Sequence, residues 1–271
     1  MKERLDALLV SRGLCKSREQ ARAFIMEGAV YVGEQRADKA GQFVPDDADV
    51  SVRGGMPFVS RGGFKLQKAL DTFPIDLTGA VCADIGASTG GFTDCMLQHG
   101  AAEVFAVDVG YGQLDWKLRT DARVHVMERT NARYMEPAWY ARPLTFASID
   151  VSFISLSLIL PPLFSCLAPG GQVCALIKPQ FEAGRDKVGK HGVVSDKAVH
   201  AEVIDRCVQF ASDGGYTVRG VTFSPIRGPK GNIEFLIWLE KSDVDSTTPC
   251  GLTFSDIQHL VDDAHIACIS T

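Results

Sequence analysis

Three charged residues lie at the ends of apolar segments that are long enough to be β-strands. Asp150 follows the apolar run 146–149, Lys178 follows the run 173–177, and Glu234 stands near the start of the last apolar run. Charged side chains are rare against apolar strands unless pairing or function holds them there. If the strands share one sheet and the last is antiparallel, all three side chains reach the same edge. There either a shared function or mutual pairing in a structural salt-bridge network would hold them.

A second candidate site is the segment 81–91, which has the sequence VCADIGASTGG. A short apolar strand ends at Asp84, a turn of glycines and small residues follows, and apolar residues then recur at helical spacing. In an open α/β sheet a nucleotide-like ligand binds at this position, because glycines permit close approach and the N–H groups at the helix start point at the ligand. The spacing matches neither the G-x-G-x-x-G motif nor a P-loop. An ordinary turn without a ligand is the alternative.

Asp108 favours a ligand at this turn. It ends the next apolar run along the chain after Asp84. An acidic side chain at the end of the second strand is placed to accept both hydroxyl groups of a ribose. The segment 128–131 could line the edge of the base. A strand-end acid that faces water is the alternative interpretation of Asp108.

Length and composition indicate a globular chain of one large or two smaller domains. The chain has 271 residues, of which 46% are hydrophobic and 23% are charged, as is usual for folded proteins. No apolar run is long enough to predict a membrane span, and the charged N-terminus does not resemble a signal peptide. None of the eight cysteines forms a C-x-x-C pair. We therefore expect no metal site and a reduced, cytoplasmic setting.

Charge is distributed unevenly along the chain. Residues 1–65 carry eleven Lys and Arg against nine Asp and Glu, whereas the whole chain has a net charge of −5. A small basic module on an acidic body fits this asymmetry, and ordinary scatter is the alternative.

The N-terminal 55 or so residues predict a small α+β module, marginal in size for an independent core. Helical spacing indicates a helix over 3–12, and Ser17-x-x-Gln20 is a capping box for a second helix. Short strands are predicted at 29–32 and 49–52. The glycine-rich stretch that follows, RGGMPFVSRGG, predicts a linker.

The remainder of the chain alternates strands and helices, which predicts an α/β fold with a mostly parallel sheet. Two successive strands at its end predict an antiparallel hairpin at the sheet edge. A short helix is expected at 254–264 in an otherwise uncertain tail. The predicted strands are 80–84, 103–108, 123–127, 145–150, 172–177, 216–223 and 232–240, and the predicted helices are 90–99, 113–119, 154–167 and 197–212.

The N-terminal module resembles the RNA-binding domain first known from a small-subunit ribosomal protein, the S-four type. The matching features are the leading Arg-Leu-Asp, the Ser-Arg of the second helix and the strand GAVYV. In that family the basic helical face contacts RNA phosphates, which positions the protein without reading sequence. The resemblance implies RNA contacts at Arg4, Lys16, Arg18 and Arg22, with Lys39 as a further candidate. For each residue alone, a solvated surface charge is the alternative.

The larger part resembles the FtsJ-like 2′-O-ribose methyltransferases, and the whole chain resembles the TlyA family, whose members are often labelled hemolysins. The resemblance rests on SRGGFKL, DIGASTGGFTD, DVSFISL, IKPQFEAG and GNIEFL taken together. It implies a Rossmann-like sheet that binds S-adenosylmethionine (SAM) and acts on ribosomal RNA or ribosomal subunits. The implied domains are an S-four-type domain at 1–58, a linker at 59–63, an FtsJ-like SAM-dependent methyltransferase domain at 64–242 and a tail at 243–271.

The same resemblance assigns roles to individual residues. The catalytic set is Lys65, Asp150, Lys178 and Glu234, which stand in the order of the family's catalytic tetrad. The residues implied in cofactor binding are Asp84, Gly86, Ser88, Gly90, Gly91, Phe92, Asp108 and Asp150. Lys178 is expected to contact the ribose 2′-hydroxyl, either as a base or as a protonated group that only steers it.

Three other functions are compatible with parts of the sequence. A hemolysin would lyse membranes, although the chain shows no span and no membrane-binding helix beyond a short N-terminal one. A SAM-binding RNA-associated protein without catalysis would not need an intact tetrad. A pseudouridine synthase often carries the same N-terminal module but needs its own catalytic Asp and no SAM turn. The pattern names neither the modified nucleotide nor a protein partner.

Overall fold

The computed structural model describes residues 2–15, 17–26, 28–54, 57–228, 230–242 and 251–269. The chain divides into two compact units, Met1–Arg61 and Gly62–Thr271. The first helix of the larger unit begins at Gly62, so it includes residues that the sequence places in the linker.

The smaller unit combines two helices with five short strands. One three-stranded antiparallel sheet has the order β3-β2-β5, and β1 pairs separately with β4. The pairing of β1 with β4 is absent from the sequence prediction, because strands of three residues carry too little alternation to detect. The elements are β1 (Lys2–Arg4), α1 (Leu5–Ser11), α2 (Arg18–Met26), β2 (Val30–Val32), β3 (Gln35–Arg36), β4 (Phe43–Pro45) and β5 (Val50–Val52).

Apolar residues at helical spacing build the core of the smaller unit. Leu5 and Leu9 on α1 and Ile25 on α2 are at most 1% exposed and pack against Val30. The hydroxyl group of Ser17 accepts a hydrogen bond from the Gln20 N–H at 3.2 Å, as the predicted cap requires.

The larger unit contains a seven-stranded sheet with the order β11-β12-β10-β9-β6-β7-β8. Its strands are β6 (Val81–Ile85), β7 (Glu103–Val107), β8 (Val124–Met127), β9 (Leu144–Ile149), β10 (Leu167–Ile177), β11 (Tyr216–Phe223) and β12 (Phe235–Lys241). Its helices are α3 (Gly62–Thr72), α4 (Gly91–Gln98), α5 (Trp116–Arg119), α6 (Leu160–Cys166), α7 (Pro179–Glu182), α8 (Lys197–Asp213) and α9 (Phe254–Ile269).

Strand direction confirms the predicted fold class. The five strands β10-β9-β6-β7-β8 are parallel, whereas β12 runs antiparallel to both β10 and β11. Ile177, the last residue of β10, pairs with Phe235, the first residue of β12. Because β12 runs in the opposite direction, the residue before it lies at the carboxyl edge of β10.

Several segments differ from the pattern-based prediction. The predicted helix 113–119 is reduced to α5, and the predicted strand 172–177 begins earlier, at Leu167. The predicted helix 154–167 is divided into a turn of 3₁₀ helix, Leu156–Leu158, and α6. Prolines at the start of α6 are tolerated there but prevent the α-helix from continuing backwards. The predicted helix 254–264 is longer and ends at Ile269; the polar segment 243–250 that precedes it lies outside the described residues.

The C-terminal helix α9 packs against α8 and β11. Its residues Ile257, Val261 and Ala264 are at most 1% exposed. An ion pair of 2.6 Å joins Lys197 on α8 to Asp262 on α9. This helix is therefore part of the core of the larger unit and not a loose tail.

Candidate active site

The carboxyl edge of the sheet brings the four predicted catalytic residues together. Asp150 follows β9, Lys178 follows β10 and Glu234 precedes β12, while Lys65 projects from α3. Lys65 Nζ lies 2.8 Å from Glu234 Oε2 and 3.3 Å from Asp150 Oδ2. Lys178 Nζ lies 2.5 Å from Asp150 Oδ1. The four side chains form one continuous chain of ion pairs, although their catalytic role is still a prediction.

Because these side chains are largely buried, each charge strongly affects the pKa of its neighbours. The side chain of Glu234 is 1% exposed and those of Lys65 and Lys178 are 9% exposed, whereas that of Asp150 is 20% exposed. Burial opposes a charge on Lys65, but the nearby Asp150 and Glu234 carboxylates outweigh it and raise the pKa of Lys65. Burial likewise opposes ionisation of Asp150, but Lys65 and Lys178 outweigh it and lower the pKa of that carboxyl group. Removing one member would leave a buried charge without its partner, which is strongly unfavourable.

Two further side chains extend the network beyond the predicted set. Lys178 Nζ donates a hydrogen bond to Ser152 Oγ at 3.1 Å. Gln180 Nε2 donates one to Glu234 Oε1 at 3.4 Å, and the Gln180 Oε1 atom is buried without a partner among the described residues. The sequence analysis missed both residues, although each stands two positions after a predicted member, within the motifs DVSFISL and IKPQFEAG.

An aromatic pair with one exposed and one half-buried ring follows Ser152 and Gln180 in the sequence. Phe153 is 90% exposed, and its ring centroid lies 4.9 Å from that of Phe181. The backbone of Phe153 has a φ of 64°, in the left-handed region that is strained for a bulky residue. The turn after β9 thus holds a large apolar ring in solvent at a cost in backbone energy.

The glycine turn between β6 and α4 contacts the strand end that carries Asp150. The Asp150 N–H donates to the Ile85 carbonyl oxygen at 2.9 Å. Gly86 has a φ of 88°, and a Cβ atom at this position would lie 2.5 Å from the Asp150 carbonyl oxygen. Gly90 also has a positive φ, of 94°, immediately before Gly91, the first residue of α4. Only glycine fits at residue 86, because a side chain would collide with main-chain atoms.

Asp84 and Phe92 face the core and not the open side of the turn. Asp84 is fully buried and accepts hydrogen bonds from the Thr93 N–H at 2.8 Å, the Thr93 hydroxyl at 2.7 Å and the Ser148 hydroxyl at 3.2 Å. Burial raises the pKa of Asp84 to about 7. Phe92 is 3% exposed. Both side chains therefore shape the start of α4 from inside the core, and their part in cofactor binding stays a prediction.

Asp108 and Ser88 lie at a small open pocket beside the turn, with Glu128 in its lining. The Asp108 carboxylate accepts hydrogen bonds from the Ser88 N–H at 2.8 Å and the Gly110 N–H at 2.7 Å. A carboxylate has about four lone-pair positions, so Asp108 can still accept two hydroxyl hydrogens. The sequence analysis missed Gln113 in this lining; its Oε1 atom accepts a hydrogen bond from Ser88 Oγ at 3.3 Å.

Three of the four predicted RNA-binding residues come together in the smaller unit. Arg4, Arg18 and Arg22 all contact the carboxylate of Asp6. Lys16 lies outside the described residues, and Lys39 is exposed. The sequence analysis included Asp6 in the Arg-Leu-Asp motif but assigned it no role, because an acidic residue in the first turn of a helix is common.

Two other classes of site have no support in the described part of the chain. No group of three or more His, Cys, Asp or Glu residues there could hold a metal ion. Among the same residues, no helix is long and apolar enough to span a membrane.

Comparison with known families agrees with this geometry. Residues 58–241 match the model of the FtsJ-like methyltransferase family, and residues 3–50 match that of the S4 domain. The chain belongs to the FtsJ-like methyltransferase family. The matched region of this FtsJ-like methyltransferase contains the whole seven-stranded sheet and all four residues of the charged network.

Relatives of this FtsJ-like methyltransferase extend over most of its length. A Mycobacterium tuberculosis protein named 16S/23S rRNA (cytidine-2′-O)-methyltransferase TlyA is 44% identical over 238 residues, which cover 87% of this chain and 89% of that protein. Hemolysin A of Brachyspira hyodysenteriae is 40% identical over 234 residues, or 86% of this chain and 98% of that protein. A solved structure from Streptococcus thermophilus has a TM-score of 0.78 and 48% identity, and covers 99% of this chain and 98% of its own.

Proposed function

We propose that this protein is an enzyme that transfers the methyl group of SAM to a ribose 2′-hydroxyl group of ribosomal RNA. The observation that carries the proposal is the position of Asp150. Its main chain contacts the glycine turn at Ile85 and Gly86, and its side chain holds Lys65 and Lys178. A methyl donor at the turn and an acceptor at the lysines would therefore be adjacent, as in-line transfer requires. The name of the M. tuberculosis relative supports ribosomal RNA as the substrate.

The residues around the glycine turn fit SAM. Asp108 can accept the two ribose hydroxyl groups, and the pocket beside it would take the base. The N–H groups at the start of α4 suit the carboxylate of the amino-acid part. The absence of a side chain at Gly86 lets the turn approach the Asp150 main chain closely. When bound, SAM supplies a methyl group made electrophilic by the sulfonium.

Lys178 is placed to hold the acceptor hydroxyl group. An ammonium group has three N–H donors, and Asp150 and Ser152 accept two of those of Lys178. The third donor can bind the 2′-oxygen and fix it for attack on the methyl carbon, with the hydroxyl proton passing to water. Lys178 could act on the hydroxyl group as a base or only steer it, and a pH–rate profile of methyl transfer distinguishes the two roles.

The aromatic pair Phe153 and Phe181 suits a base that has left its stack. Proteins that act on single RNA nucleotides stack unpaired bases on exposed aromatic rings. A ring held in solvent beside Lys178 would place the base while its ribose reaches the network. The hemolysin alternative, in contrast, is supported by names alone, those of the B. hyodysenteriae relative and of solved structures that include the S. thermophilus one.

The decisive test is Lys178→Ala in the full chain. Ribosomal subunits from a strain that lacks the gene are incubated with SAM, and 2′-O-methyl positions are mapped by primer extension. We expect wild-type protein to add a methyl group at discrete positions and the variant to add none, with SAM affinity retained by calorimetry.

Lys68→Ala is the matched control, because Lys68 lies on α3 one turn from Lys65 but outside the network. It should methylate as the wild type does. Full activity of Lys178→Ala would reject the assignment of the active site, and lack of any new methyl group with wild-type protein would reject the substrate class.

A further inference from the structure

A buried carboxylate binds three arginines in the smaller unit. The side chain of Asp6 has no exposed surface, whereas those of Arg4, Arg18 and Arg22 are 40%, 50% and 50% exposed. Arg4 donates from Nε to Oδ1 at 3.0 Å and from Nη2 to Oδ2 at 3.1 Å. Arg18 Nη2 and Arg22 Nε each donate to Oδ2 at 3.0 Å. We call these three side chains the arginine cluster.

The arginine cluster would repel itself without Asp6. Arg18 and Arg22 are one turn apart on α2, a spacing at which like charges destabilise a helix. Arg4 arrives from the end of β1 and adds a third positive charge. Hydrogen bonds from Arg4 above all, together with those from Arg22 and Arg18, hold the pKa of Asp6 well below its usual value. Asp6 therefore stays ionised and leaves the cluster with a net charge of about +2.

The cluster keeps most of its donors for a ligand. A guanidinium group has five N–H donors, of which Asp6 takes two from Arg4 and one each from Arg18 and Arg22. Among the described residues, Asp6 is the only acceptor for these groups. Their planar donor forks match phosphate oxygens. Asp6 orders these long side chains when the protein folds. Their loss of conformational entropy therefore does not weaken the binding of a ligand.

We propose that Asp6 is a positioning residue for RNA binding, whose buried carboxylate holds the arginine cluster in the arrangement that receives successive backbone phosphates. The inference rests on the proposed function in one respect, since it takes RNA as the ligand. Asp6 itself has no exposed surface and contacts no phosphate; it acts through the three arginines.

This role predicts that loss of the Asp6 charge weakens RNA binding, whereas the change in net charge alone would strengthen it. Asp6→Asn removes a negative charge next to a basic surface, which by Coulomb attraction alone would tighten RNA binding. A neutral amide cannot hold three guanidinium groups, so they would separate and lose their common orientation. We expect the dissociation constant for ribosomal RNA to rise about tenfold. In methyl transfer, KM for RNA should rise more than kcat falls.

The control is Asp47→Asn, an exposed residue of the same unit. It changes the net charge by the same amount without contacting the arginine cluster, so affinity should stay the same or increase slightly. Binding is measured with purified ribosomal RNA, without SAM, at fixed salt. Asp6→Asn that binds as tightly as wild type, or more tightly, overturns the inference. If wild-type protein fails to bind the RNA, the proposed substrate is wrong instead.

A second measurement needs no substitution and covers the case in which Asp6→Asn does not fold. In the full-length wild-type protein, the Nε–H groups of Arg4 and Arg22 donate to a buried carboxylate, so their NMR signals should be sharp and exchange slowly before RNA is added. Titration with ribosomal RNA should shift both signals. Broad, fast-exchanging signals, or signals that RNA leaves unchanged, contradict the inference.

Discussion

Individual side chains at the carboxyl edge gain their properties from their neighbours. Lys65 lies between two carboxylates and Asp150 between two lysines, so each charge is balanced within the network although little water reaches it. Ser152 is exposed and contributes a neutral acceptor to Lys178. It can therefore be changed without leaving a charge unpaired.

Ser152→Ala tests whether the direction of the Lys178 ammonium group matters. The variant removes one acceptor but keeps the ion pair to Asp150, so Lys178 gains rotational freedom. A hydrogen bond to a charged group contributes about 1.5 kcal/mol, and we expect kcat to fall about tenfold with KM for SAM unchanged. Ser152→Thr should restore part of the rate.

Ser157→Ala is the comparison, because its hydroxyl group contacts only Ser155 among the described residues. It should have wild-type kcat. A Ser152→Ala protein with wild-type kcat would mean that the ion pair alone fixes Lys178.

Secondary-structure elements far from the edge are linked to it through main-chain contacts. His200 on α8 contacts His265 on α9 at 3.0 Å and the Val194 carbonyl oxygen at 3.0 Å. The Val194 N–H in turn donates to Asn232 Oδ1 at 2.9 Å, two residues before Glu234. The C-terminal helix thus supports the loop that leads into β12.

This linkage predicts a pH dependence of stability. Burial lowers the pKa of His200 from 6.5 to about 4. Between these values the unfolded chain binds a proton that the folded chain does not, so the free energy of unfolding decreases as pH falls from about 6.5 to about 4. We expect His200→Gln to be less stable at pH 7 by about 1–3 kcal/mol, from loss of buried contacts, and to depend less on pH in this window.

Urea unfolding of the full chain at several pH values measures this difference. Comparing the variant with wild type isolates His200 from groups such as Asp84, whose raised pKa acts in the opposite direction. His191→Gln, an exposed histidine in the loop before α8, should keep the wild-type dependence. Identical pH slopes for His200→Gln and wild type would exclude the proposed titration.

The whole molecule combines an acidic chain with a local concentration of arginines. The net charge of −5 opposes approach to RNA, whereas the arginine cluster presents three guanidinium groups on one surface of the smaller unit. RNA affinity should therefore depend on a few phosphate contacts and not on overall charge.

Salt dependence measures the number of these contacts. Each phosphate contact contributes about 0.7–0.9 to the slope of the logarithm of affinity against the logarithm of salt concentration. We expect the double variant Arg18→Gln, Arg22→Gln to lower this slope by about 1–2 and to bind ribosomal RNA at least tenfold more weakly near 0.1 M salt. A variant with the wild-type slope would place the phosphates elsewhere on the protein.

Much of the fold was accessible from local pattern. Strand and helix positions in the larger unit follow from apolar runs and glycine turns, and the final pair of strands predicted the antiparallel edge. The motifs around Lys65, Asp150, Lys178 and Glu234 identified the charged residues and, through resemblance, their family. Element boundaries were predicted less accurately near the prolines of α6 and at the very short strands β1 and β4. Where such elements begin and end depends on residues that are distant in the sequence.

The sequence by itself determined which residues are charged, where apolar segments end and which motif surrounds each end, because these are local properties. Tertiary structure alone decided which of them meet. Lys65 and Glu234 are 169 positions apart and touch only because β12 inserts next to β10 in reverse direction. Ser152, Gln180 and Asp6 lie within motifs that the sequence shows, but the motifs assign them no role, and their roles arise from where packing places a hydroxyl, an amide or a carboxylate. These contacts depend on which distant strands pair and on which residues become buried. Neither property produces a periodic pattern in the sequence.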